Sequence, residues 1–67
     1  MPITYKKLWK ILIDKEMNKT QLKEAAGISG NVLAKLGKNE PVALESLVKI
    51  AETLGVDIGD IINLEQK

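Results

Sequence analysis

Cysteine, histidine and arginine are all absent from this 67-residue chain. Without cysteine there is no disulfide framework and no thiolate zinc site. Without histidine the chain lacks the commonest general base, the commonest metal ligand and every Ser-His or Cys-His nucleophile pair. Ser29, Ser46, the lysines and the carboxylates remain. No convergent base, metal set or glycine-rich phosphate loop accompanies them, so the chain reads as a non-enzyme with no cofactor and no metal. All ten cations are lysine, which removes the residue best shaped for bidentate reading of a guanine edge. No apolar run nears the roughly 18 residues of a membrane span, and no charged-then-apolar leader opens the chain. The expectation is a soluble, cytoplasmic protein with no membrane attachment and no legible small-molecule pocket.

What is present is one small domain, expected over residues 1–67, since chains divide into several cores only beyond roughly 250 residues. A 45% hydrophobic fraction is ordinary for a globular chain. A chain this short, with neither disulfide nor metal, needs close helix packing or association with a second copy, so a homodimer is expected. The net charge of +1 conceals a polarity. Residues 1–38 hold eight lysines against Asp14, Glu16 and Glu24, a net +5. Residues 39–67 hold Lys49 and Lys67 against Glu40, Glu45, Glu52, Asp57, Asp60 and Glu65, a net −4. The basic half suits an anionic partner, although lysines also simply solvate the outer faces of helices.

Glycine and proline punctuate the chain into five pieces with helical periodicity, an all-α pattern without strands. The first is Tyr5–Lys15, with Thr4 as its N-cap. Tyr5, Leu8, Trp9 and Leu12 form its apolar stripe, and Ile11 and Ile13 widen it enough to need cover on more than one side. The second begins at Asn18, which with Gln21 has capping-box spacing. Leu22, Ala25 and Ala26 give it a narrow apolar face, and Gly27 stands where a left-handed C-terminal glycine belongs. The third is Gly30–Leu36 with Ser29 as N-cap. Val32, Leu33 and Leu36 face inward, and Gly30, Asn31, Ala34 and Lys35 face outward. Gly37–Pro41 is a loop. The fourth, Leu44–Leu54, is strongly amphipathic, with Ala43 in the cap position, where alanine is a poor choice. The fifth starts at Asp57, with Asp60 in its first turn and Ile58, Ile61, Ile62 and Leu64 along it.

Two short helices joined by a three-residue turn that begins at Gly27 make a helix-turn-helix arrangement over residues 18–37. Ala26 and Gly27 are small enough for a close, steep crossing. The run from Met17 to Ser29, then Asn31-Val32-Leu33-Ala34-Lys35-Leu36, resembles the Cro/cI-type (Xre-family) helix-turn-helix, with Leu22, Gly27, Ile28, Ser29, Leu33 and Leu36 at the family's positions. Pro41 followed by Leu44, Leu47, Ile50 and Leu54-Gly55-Val56 is similar to the family's fourth helix. Leu36-Gly37-Lys38-Asn39-Glu40 resembles a loop of its small stand-alone regulators. Departures are Trp9 and Leu12 where the first helix often carries arginine, and Lys19 where glutamine usually follows the cap.

The resemblance implies a five-helix, lambda-repressor-like DNA-binding domain of bacterial or phage origin. It implies a transcriptional repressor whose helix 30–36 enters the major groove of double-stranded DNA. Base contacts then fall to Gly30, Asn31, Ala34 and Lys35, and phosphate contacts to Lys19, Ser29, Lys38 and Asn39. Lys23 and the Lys6, Lys7, Lys10 face would add long-range attraction. The surplus apolar residues Trp9 and Ile13, with Ile58, Ile61, Ile62 and Leu64, are candidates for a dimer interface or for packing within one chain. A second function class remains open: a protein-interaction module (antitoxin, anti-repressor or adaptor) that keeps the fold without reading DNA.

Overall fold

A computed structural model describes residues 2–64. In chain order the elements are β1 (Ile3–Thr4), α1 (Lys6–Asp14), α2 (Lys19–Ala26), α3 (Gly30–Gly37), α4 (Leu44–Leu54), a 3₁₀ helix (Ile58–Asp60) and β2 (Asn63–Leu64). Most of the periodic segments of the sequence form within a residue of their expected ends. The core is built by the inward stripes of all four α-helices, with Leu8, Leu22, Leu36 and Ile50 fully buried. Tyr5, Ile28 and Ile61 close it from between the helices. Each fully buried aliphatic side chain contributes roughly 1.5–3 kcal/mol by leaving water. No helix among the described residues is long and apolar enough to cross a membrane.

The expected fifth helix is not there. The described residues form four α-helices, and the fifth periodic segment is a single 3₁₀ turn followed by a strand. Two features account for this, one local and one distant in sequence. Asp57 and Asp60 form a reciprocal capping box around three residues only, the Asp57 N–H donating to Asp60 Oδ2 at 3.1 Å. Asn63 and Leu64 then pair antiparallel with Thr4 and Ile3, which draws the chain out of helical geometry. Ile58, Ile61 and Ile62 have the i, i+3, i+4 spacing of a helix because one turn directed at the core needs the same spacing. Ile61 is fully buried within its own chain, while Leu64 is 46% exposed. The absence of strands expected from the sequence is corrected by the same pairing; two residues per strand show no alternation.

Smaller differences have local causes. The cap position of α1 is Tyr5, not Thr4, and Tyr5 offers no side-chain cap. Thr4 reaches past it, its Oγ1 accepting the Lys6 N–H at 3.3 Å. Ala25 is exposed on α2, and Val32 and Leu33 are half-buried beside the fully buried Leu36. Ile13 is 74% exposed, so the widened stripe of α1 is not covered on every side.

All four α-helices end in the same way. The N–H two or three residues beyond the end reaches back five positions: Met17 to the Leu12 carbonyl, Ile28 to Lys23, Glu40 to Lys35 and Val56 to Ala51. This closure needs a left-handed residue at the turn. Gly27 and Gly55 supply it with φ of 71° and 70°, whereas Glu16 and Asn39 adopt φ of 53° and 57° with side chains present. Asparagine is among the residues that enter that region most readily; glutamate is not.

Candidate nucleic-acid interface

The geometry of α2 and α3 is set at four points. Asn18 Oδ1 accepts the Gln21 N–H at 2.7 Å, and Gln21 Oε1 accepts the Asn18 N–H at 2.8 Å, which satisfies two groups that the start of a helix leaves open. Gly27 ends α2 in the left-handed region. Ile28, 7% exposed, drives the turn into the core and fixes the angle of the crossing. Ser29, with extended backbone, starts α3 and takes the Val32 N–H on its hydroxyl at 3.2 Å.

Successive α-helical residues are about 100° apart, and this decides what α3 presents. Val32, Leu33 and Leu36 share one arc; Leu36 is fully buried, Val32 packs against the core, and Leu33 is half-buried. Gly30, Ala34, Asn31 and Lys35 follow one another around the opposite arc, and all four are exposed. The structure therefore brings the four sequence-predicted base-contacting residues onto one continuous solvent-facing ridge. Ser29 lies at the N-terminal end of that ridge and Lys38 just past its C-terminal end, both exposed. Two small residues, Gly30 and Ala34, keep the ridge low, so the helix backbone can approach a surface closely. No Cβ added at Gly30 would meet another atom within 4 Å.

The loop after α3 is held by Tyr5, which the sequence pattern marks only as the first residue of an apolar stripe. Tyr5 is fully buried, and its hydroxyl donates to the Glu40 carbonyl at 2.7 Å. Its own N–H donates to Asn39 Oδ1 at 3.3 Å. Asn39 thus accepts at the start of α1, 34 residues back along the chain, and its side-chain NH₂ remains as a donor. The phenol of Tyr5 has its pKa raised above the ordinary 10.0 by burial. A tyrosine at the first position of an apolar stripe was the available signal, because a buried phenol nearly always finds an acceptor.

The remaining cations divide. Lys7 Nζ donates to the Gly59 carbonyl at 3.3 Å and so fastens α1 to the 3₁₀ turn. Lys19, the first residue of α2, carries its ammonium 4.6 Å from the centroid of the Trp9 ring. Lys23 is half-buried, while Lys10, Lys35 and Lys38 are exposed.

Comparison with known proteins agrees with this geometry. A family model described as the Cro/C1-type HTH DNA-binding domain matches residues 7–67. The crystal structure of the transcriptional regulator VanUg, form II, superposes with a TM-score of 0.92 at 50% sequence identity, over 98% of this chain and 88% of that one. No curated protein matches the chain. With the family model matching nearly its whole length, the chain belongs to the Cro/C1-type helix-turn-helix DNA-binding family.

Proposed function

We propose that the protein is a sequence-specific transcriptional regulator, acting as a repressor in the cytoplasm, that lays α3 in the major groove of double-stranded DNA. The observation that carries this is the continuous exposed ridge of Gly30, Asn31, Ala34 and Lys35 on a helix anchored from its other arc by the fully buried Leu36. A groove about 12 Å wide accepts one helix. Asn31 has the amide that pairs bidentately with adenine, Lys35 can donate to guanine N7 and O6, and Ala34 offers a methyl to thymine. Gly30 lets the backbone come close.

Phosphates are held around that ridge. Ser29 and the N–H groups at the start of α3 suit one phosphate. Lys38 and the Asn39 NH₂ suit another, on a loop that Tyr5 holds from behind. Lys19 serves the head of α2. VanUg, the structural neighbour at 50% identity, is a transcriptional regulator, which supports the same role here.

A single domain with so few base-reading groups gains specificity as a homodimer on two half-sites about 34 Å apart. The molecule measures 33 × 24 × 17 Å, so two copies fit side by side over successive grooves. Ile13 and Leu64 are accessible for such a contact, whereas Trp9 is half-buried under the Lys19 ammonium and Ile61 lies in the chain's own core.

The test is selection of genomic fragments by the purified protein, followed by titration of the selected duplex with wild type, Asn31→Ala and Lys35→Ala. Each substitution is expected to cost about 1–3 kcal/mol and to relax specificity at one position. Retention of neither selected nor random DNA at low salt would favour the adaptor class and refute the regulator.

A further inference from the structure

Trp9 is half-buried on α1, between two residues of the core stripe, Leu8 and Leu12. It borders an open groove of about 370 Å³ that it shares with Ile13, Met17, Asn18 and Lys19 as well as Leu12. The indole is therefore the lip of a groove at the head of α2, not a plug in the core. Over it stands the Lys19 ammonium, 4.6 Å from the ring centroid.

Two properties of this pair go beyond packing. An aromatic face attracts a cation through its quadrupole and leaves the charge intact. A carboxylate in the same place would cancel the charge that an anionic ligand needs. Secondly, lysine has a flexible four-carbon stem and loses much rotamer freedom when it is immobilised by a ligand. Against the ring, part of that freedom is lost before any ligand arrives, and pre-organisation of this kind raises affinity.

The position adds to both effects. Asn18 Oδ1 already accepts the Gln21 N–H, and the Asn18 carbonyl accepts that of Leu22. The N–H groups of Lys19 and Thr20, in the first turn, have no acceptor within the helix. The held ammonium thus stands where the positive end of the helix dipole reinforces it.

We propose that Trp9 is a positioning residue for DNA binding: its ring holds the Lys19 ammonium, still fully charged, at the head of α2, poised for a backbone phosphate of duplex DNA. This rests on the reading of the protein as DNA-binding and adds a division of labour to it, in which Trp9 touches no DNA and Lys19 does.

The experiment is a double-variant cycle. Binding of the full chain to a short fluorescein-labelled duplex of random sequence is followed by anisotropy across a salt series. Lys19→Met is expected to lower the salt slope by roughly one unit. Trp9→Leu, which keeps the cation but frees it, is expected to weaken binding about two- to fivefold with the slope retained. Trp9→Phe restores part of that loss. In the Lys19→Met background Trp9→Leu adds nothing. Tryptophan emission supplies a second readout: it changes when duplex is added to the wild type and stays constant in Lys19→Met.

Losses that multiply in the double variant, or unchanged binding by Trp9→Leu, overturn the proposal. Should Trp9→Leu fail to fold, Trp9→Phe completes the same cycle, with a smaller loss that again vanishes beside Lys19→Met. A wild type that binds duplex with a slope indifferent to Lys19→Met refutes the positioning role alone. A wild type that binds no duplex at low salt refutes the DNA-binding reading and this proposal with it.

Discussion

Replacing Tyr5 by phenylalanine isolates one bond that joins the start of α1 to the loop behind the candidate recognition helix. The ring stays buried, so the apolar contribution of the side chain is retained. The hydroxyl that donates to the Glu40 carbonyl at 2.7 Å is lost. A neutral hydrogen bond is worth a net of about 0.5–1.5 kcal/mol, and a buried acceptor left without its donor costs about 1–3 kcal/mol. Glu40 is exposed, so water recovers some of that loss, and the expected destabilisation is about 1 kcal/mol. For a domain of this size that lowers Tm by roughly 4–8 °C. The pH dependence makes the prediction sharper. Burial raises the Tyr5 pKa above 10.0, so the folded state favours the neutral phenol. The stabilisation is fully present below the unfolded value of about 10 and is lost as pH rises through the folded value. The phenolate also has no proton for the Glu40 carbonyl. Every other ionisable group is common to both proteins, so the difference between wild type and Tyr5→Phe reports Tyr5 alone. Urea denaturation from pH 7 to 11 should show a constant gap up to about pH 10 that then closes. Equal stability at neutral pH, or a gap that does not narrow above pH 10, would refute the reasoning.

Other expected outcomes concern the ends of helices and the charge around α3. Ala43→Ser should stabilise the protein by about 0.5–2 kcal/mol in urea melts, because α4 begins at an extended residue with no side-chain cap. Gly27→Ala should destabilise it by about 1 kcal/mol. The added Cβ meets nothing within 4 Å, so the φ of 71° is the whole cost. Glu16→Gly should have the opposite sign, a gain of about 0.5–1 kcal/mol, because glutamate occupies a left-handed turn at φ 53°. Lys38→Ala should weaken binding to every DNA sequence and reduce the salt slope by roughly one unit; an unchanged slope would remove Lys38 from the phosphate contacts.

The parts of the structure legible in the sequence are those that depend on neighbours in the chain. The Asn18–Gln21 box, the Ser29 cap, Gly27 at the end of α2 and the buried Leu47, Ala51 and Leu54 of α4 follow from spacing within one or two turns; Leu44 and Val48 share that spacing but are exposed, and Ile50, off the stripe, is fully buried. The outward ridge of Gly30, Asn31, Ala34 and Lys35 follows from the same periodicity, once Leu36 is placed inside. The parts that were not legible depend on contacts far apart in sequence. Ile58, Ile61 and Ile62 have helical spacing, but the pairing of Asn63 with Thr4 ends the helix after a single turn. Periodicity cannot separate a turn directed at the core from the start of a long helix. The hold of Tyr5 on Asn39 and Glu40 spans more than thirty residues, and no local pattern encodes it. Trp9 and Ile13 read alike as surplus apolar residues. The structure separates them, with one carrying the Lys19 ammonium and the other largely in solvent.

The central claim is that the ridge of α3 meets the base edges of DNA. It is tested most directly by titrating ¹⁵N-labelled protein with a duplex selected from genomic fragments and following the amide resonances. The account predicts that the largest shifts fall on residues 29 to 39 and at the start of α2, with α4 nearly silent. Shifts concentrated on α4 or on β1 and β2, with residues 29 to 39 unmoved, would contradict it.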